Sequence, residues 1–157
     1  MRSRTPNESP TPRWTRHLLP LLLAWLLASA WGSVVQTQWN LQALVRLDVA
    51  IPMAERVQST LQDLIGFAPV YGGILAAGWL PALAAAAWLA RRQPSWRSPL
   101  LAAAAAVGMV AAVRAVDAVA PMPVFIDATR HLPGLLAMAA GAAIGGLLYA
   151  RLTSRAG

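Results

Sequence analysis

FAPVYGGILAAGWLPALAAAAWLA, from Phe67 to Ala90, runs for 24 residues without a charged side chain. A helix needs about 20 apolar residues to cross about 30 Å of hydrocarbon. This stretch is therefore long enough to span a bilayer, and too apolar for the surface of a soluble domain. Three more runs resemble it: Leu18–Val35, Pro99–Ala120 and Leu132–Ala150, of 18, 22 and 19 residues, the second interrupted by Arg114 and Asp117. Only helices and closed barrels satisfy their backbone inside lipid. The runs lack the strict alternation of barrel strands, so the expected fold is all-α, a four-helix transmembrane bundle.

Composition supports that expectation. Of 157 residues, 57% are hydrophobic and 12% charged, against about 45–50% and about 25% in soluble domains. A chain this short cannot hide so much apolar surface in a soluble core. The absence of cysteine excludes disulfides, thiolate metal sites and a cysteine nucleophile. All 13 basic residues are Arg, and the net charge is +7. These charges lie between the apolar runs, as membrane topology requires, so no nucleic-acid partner is expected.

The connecting pieces set the orientation. Residues 1–17, 91–98 and 151–157 together hold nine Arg, while 36–66 and 121–131 hold Arg46, Arg56 and Arg130. Positive residues favour the cytoplasmic side. Both termini are therefore expected in the cytoplasm, with 36–66 and 121–131 outside. Trp14, Trp88, Trp96 and Tyr149 suit the inner interface and Trp39 the outer one, while Trp25 and Trp79 fall mid-span. The basic start, Leu18–Leu27 and Ala28-Ser29-Ala30 also resemble a secretory signal cut before Trp31. Because apolar character continues through Val35, an uncleaved anchor is the preferred reading. A single membrane domain is expected over 18–150, with spans 18–35, 67–90, 99–120 and 132–150, between basic cytoplasmic tails at 1–17 and 151–157.

The segment 36–66 is the one sizeable piece outside the spans. Pro52 suits the first turn of a helix. Met53, Val57, Leu61, Leu64 and Ile65 then share one face. This predicts an amphipathic helix on the outer membrane surface or over the bundle, ended by Gly66. Leu61 to Gly72, LQDLIGFAPVYG, preceded by Gln36-Thr37-Gln38-Trp39-Asn40, resembles a family of small, about four-span inner-membrane proteins of proteobacteria, with similarity over most of the chain from the first span onward. The resemblance implies an inner-membrane location and no particular activity.

Few polar residues qualify as functional. Arg114 and Asp117, at i, i+3 inside a span, can pair, and intramembrane charges often serve transport. Arg114 also lies within snorkelling distance of the outer interface. Asp63, Asp127, Arg130 and His131 lie outside the spans. Asp127 and His131 lack the third ligand that a zinc site needs, and Asp127 is expected to cap a short helix instead. His17 and His131 fall on opposite sides of the membrane. Ser29 and Ser33 have no His on their side, and no nucleotide-binding or hydrolase motif occurs, so neither an enzyme nor a cofactor is expected. Gly72 and Ala76, and Ala137, Gly141 and Gly145, recur every four residues as helix-packing rows. Pro81 should kink the second span. The sequence thus points to an accessory or assembly protein of the bilayer, working through a membrane-protein partner or a second copy of itself. A small transporter or channel subunit using Arg114 and Asp117 is the alternative.

Overall fold

The computed structural model describes residues 15–120 and 126–154. Arg2, Arg4 and Arg13 of the first tail, Trp14, Arg155, and residues 121–125 of the second connection lie outside the described residues. Four long helices follow one another: α1 (Thr15–Val45), α2 (Met53–Ala90), α3 (Arg97–Val119) and α4 (Leu132–Ser154). Short 3-10 turns at Pro94–Trp96 and Asp127–Arg130 precede α3 and α4. All four long helices are long and apolar enough to cross a membrane, as in a multi-pass membrane protein.

The helices form a closed ring in which α1 packs on α2, α2 on α3, α3 on α4, and α4 on α1. Hydrogen bonds fix the antiparallel register. Trp25 on α1 donates to the Gly72 carbonyl on α2 at 2.8 Å, and Trp79 on α2 to Ala105 on α3 at 2.9 Å. Trp31 on α1 donates to Ala137 on α4 at 2.8 Å. Arg97 at the start of α3 donates to the Ala150 carbonyl at 2.7 Å and to the Thr153 hydroxyl, both in the last turns of α4. The carbonyls at a helix C-terminus lack intrahelical partners and carry partial negative charge, so the guanidinium binds there favourably. Thr15 and Ser154 share one end of the ring, and the other end is called distal below.

The rows of small residues explain where the indoles go. A Cβ on Gly72 would meet the Trp25 ring at 2.7 Å, one on Gly145 the Trp79 ring at 2.6 Å, and one on Gly141 would run into Trp31. Ala76 borders the same crevice as Trp25 and Trp79. Trp79 is almost fully buried, among Leu75, Leu83, Leu101, Met109 and Met138 of the core. An indole N–H held away from water needs an acceptor; Trp79 inside the core, Trp25 half-buried and Trp31 at the surface each find a carbonyl on a neighbouring helix. Gly78 and Gly108 act differently. There the backbones of α2 and α3 themselves touch, and a Cβ on either would strike the other's carbonyl.

One expectation requires correction. The segment 36–66 is not a loop followed by a separate amphipathic helix. α1 continues to Val45, and α2 passes Gly66 without a break. A glycine inside a helix costs only about 1 kcal/mol, which the flanking turns outweigh here, and Gly66 does not adopt positive φ. Pro52 stands one place before the helix, at its cap. The expected amphipathic helix is thus the first turns of α2, standing on the bundle as a continuation of its second span. Pro69 and Pro81 both lie within this unbroken helix.

Between α1 and α2 the chain reverses at Asp48, whose φ is 61°. The Val49 N–H returns to the Leu44 carbonyl at 3.2 Å and the Asp48 N–H to Val45 at 3.1 Å, the paired bonds of a Schellman ending. A left-handed conformation costs most L-residues about 1–2 kcal/mol, and glycine nothing. Asp48→Gly should therefore stabilise the protein by about 0.5–1 kcal/mol, read as a higher melting temperature in detergent. A lower one would mean that the Asp48 side chain has a structural role of its own.

Candidate functional site

The distal third of α1 is polar, and it organises that end of the molecule. Thr37 is buried, and its single hydroxyl proton is shared between the Ser33 carbonyl at 2.9 Å and Asp63 Oδ2 on α2 at 2.7 Å. One turn further out, Gln38 donates to the Thr60 hydroxyl at 3.0 Å, and Thr60 to the Arg56 carbonyl at 2.7 Å. These bonds hold α1 and α2 together where α3 no longer reaches. Deeper in the same seam, Ser29, Ser33 and Tyr71 are buried with hydroxyls that have no hydrogen-bond partner among the described residues. Tyr71 lies flat on Gly32, where any Cβ would strike its ring, and stacks with Phe67 at 6.0 Å.

On another face of α1, Gln36 is buried. Its Oε1 accepts the Ala128 N–H at 2.8 Å, and its Nε2 donates to Asn40 at 3.3 Å. Gln36 thus anchors the 3-10 turn Asp127–Arg130 to α1. Beside it opens a crevice of about 150 Å³ lined by Trp39, Gln42, Ala43, Arg46, Asp127 and His131. Asp127 Oδ1 accepts from Arg130 Nε at 2.9 Å. Asp127 does not cap the short turn, whose capping position is Ile126 with no side-chain bond. The i, i+3 geometry of the turn lets Arg130 reach the carboxylate first.

The residues marked in the sequence therefore fall in three places. Asp63 belongs to the α1–α2 seam. Asp127 and His131 line the crevice between α1 and the turn before α4, and Arg130 pairs with Asp127. Arg114 and Asp117 stand apart on α3, 3.8 Å between Nη1 and Oδ2, with the side chains 56% and 12% exposed. Among the described residues no three His, Asp or Glu side chains gather as a metal site. Gln36, Thr37, Gln38, Gln42 and Arg46, which build the first two places, were not expected as functional residues; Gln36 to Gln38 entered only through the family resemblance and Arg46 only through the charge count. Their signal was a polar run at the end of an apolar helix, but only the inter-helix register assigns each to a face.

Arg114 lies five residues before Val119, about 8 Å at about 1.5 Å per residue, on the exterior of the bundle. A long side chain there can snorkel to the interface. If the pair is structural, Arg114→Ala removes the cation 3.8 Å from Asp117 and should lower stability by up to about 1 kcal/mol, and the double change to Ala should recover part of that. Melting in detergent across the four proteins measures the coupling. Strictly additive losses would mean that the two side chains act independently.

No family model matches the chain, and neither a curated protein nor a solved structure does.

Proposed function

We propose that this is a non-enzymatic accessory or assembly protein of the bacterial inner membrane, with both ends cytoplasmic, that engages a membrane-protein partner through its distal α1–α2 hairpin. The nine-to-three distribution of Arg supports the orientation. Arg91 and Arg92 are exposed at the end shared with Thr15 and Ser154, and Arg92 lies over the Trp88 ring at 5.3 Å, an arrangement suited to an inner interface.

One observation carries the docking reading. α2 has 38 residues and α3 has 23, a difference of about 22 Å at about 1.5 Å per residue. Among the described long helices, the first turns of α2 pack on α1 and lie beyond the end of α3. There Met53, Val57, Leu61 and Ile65 are 73%, 52%, 56% and 80% exposed along one side. Covering such side chains is worth about 1.5–3 kcal/mol each, and a partner protein could supply the cover. The transporter alternative gains nothing comparable, since Arg114 points out of the bundle.

Two measurements test the reading. Reporter fusions at residues 94 and 157 should register as cytoplasmic, and fusions near 48 and 126 as external; an external signal at 94 would overturn the orientation. A photo-crosslinker at Val57 should trap a protein, and one at Leu80 on the exterior of the second span should trap lipid. The mass of the Val57 adduct separates a second copy from a different chain, and lipid alone at Val57 would end the docking proposal.

A further inference from the structure

The crevice between the end of α1 and the turn that leads into α4 is mixed in chemistry. It gathers a guanidinium (Arg46), an imidazole (His131), an indole (Trp39), an amide (Gln42) and one carboxylate (Asp127). That carboxylate is already matched by Arg130. Arg46 is exposed and makes no ion pair among the described residues, so the unbalanced charge of the crevice is positive. Of the three Arg in the distal connections, Arg46 lines this place together with the single His found there, and Arg130 is paired with its one carboxylate. Gln42 adds amide donors, and His131 offers a ring N–H even when neutral.

Size and position narrow the ligand. The crevice, of about 150 Å³, has room for a tetrahedral oxyanion group. The crevice lies beside the start of α4 at Leu132 and just beyond the end of α3 at Val119, where the apolar stretches stop. Trp39 in its wall is a residue that favours the headgroup level. On the same α1–α4 interface, nearer the middle of the bundle, Trp31 leaves 43% of its surface exposed, apolar cover for the upper part of an acyl chain. Guanidinium groups bind phosphate oxygens in pairs of charge-assisted bonds.

The geometry points to a phospholipid site: the crevice binds the phosphodiester of a lipid headgroup, with Arg46 as the charged contact and Gln42 and His131 as neighbouring donors. This goes beyond the docking reading and stands without it, because it uses a different face of α1.

The test uses the full chain in mild detergent and native mass spectrometry with three probes: phosphatidylglycerol, diacylglycerol and inorganic phosphate. Phosphatidylglycerol should be retained, and diacylglycerol, which lacks the phosphate, should not. Arg46→Gln should weaken phosphatidylglycerol binding about tenfold, the scale of one lost charge-assisted contact. His131→Ala should weaken it severalfold, and Arg56→Gln, the same charge change away from the crevice, should leave it unchanged. Arg46 is exposed, so the melting temperature without lipid should not move. Equal losses for Arg46→Gln and Arg56→Gln would reduce the effect to general charge and overturn the site. So would retention of diacylglycerol, or inorganic phosphate displacing the lipid in an Arg46-dependent way, which would assign the crevice to a soluble anion.

Discussion

Gly78→Ala should destabilise the protein, although alanine is the better helix former by about 1 kcal/mol. The new methyl group would enter the space of the Gly108 carbonyl oxygen and lie 2.8 Å from the Ala112 Cβ. The obstacle is backbone, so no rotamer change can relieve it and α2 must move away from α3. Overpacking of this kind costs about 1–3 kcal/mol, and the helix gain offsets only part. A net loss of about 1–2 kcal/mol is expected for Ala and more for Gly78→Leu, seen as earlier melting in detergent. Gly73→Ala is the matched control, since nothing lies within 4 Å of its Cβ. If both variants melt alike, the close approach of α2 and α3 is wrong.

Trp79→Ala should have a larger effect. Its side chain is the largest of those fully buried, and it touches α4 at Gly145 while bonding to α3 at Ala105. Removing a core Trp costs about 3–5 kcal/mol in soluble proteins. Lipid is about as apolar as the core, so the transfer part shrinks and the cavity and lost contacts remain. A loss of about 3 kcal/mol is expected. Trp79→Phe should cost less, since it keeps most of the volume and removes one hydrogen bond worth about 1 kcal/mol. A chemical-denaturation series of the three proteins in detergent would rank them. A Phe variant as unstable as the Ala variant would give the hydrogen bond the leading role over the packing.

Much of the membrane part was legible in the sequence. Apolar runs of spanning length give helices because lipid leaves the backbone no other choice, and α3 and α4 keep nearly the expected bounds. The rows through Gly72, Gly141 and Gly145 were legible as packing positions, but not as seats for Trp25, Trp31 and Trp79, because a partner on another helix is fixed by register alone. The error at 36–66 has a local cause. Gln36 to Asn40 looked like the end of a span and Gly66 like a terminator, yet Thr37 with Asp63 and Gln38 with Thr60 bond across two helices and let both continue. Asp63 stood out as a charge. Thr37 and Gln36 did not, and Arg46 counted only toward the topology, since each is ordinary alone and gains its place from what faces it.

The ring of helices has a genetic consequence. α4 lies against α1 with Thr15 and Ser154 at the same end, so a linker could join those ends while the chain is reopened between Arg91 and Gln93. Such a circular permutant would keep every helix–helix interface and both new ends on the original side. It would be synthesised as α3, α4, α1, α2, which separates the order of insertion from the contacts of the finished bundle.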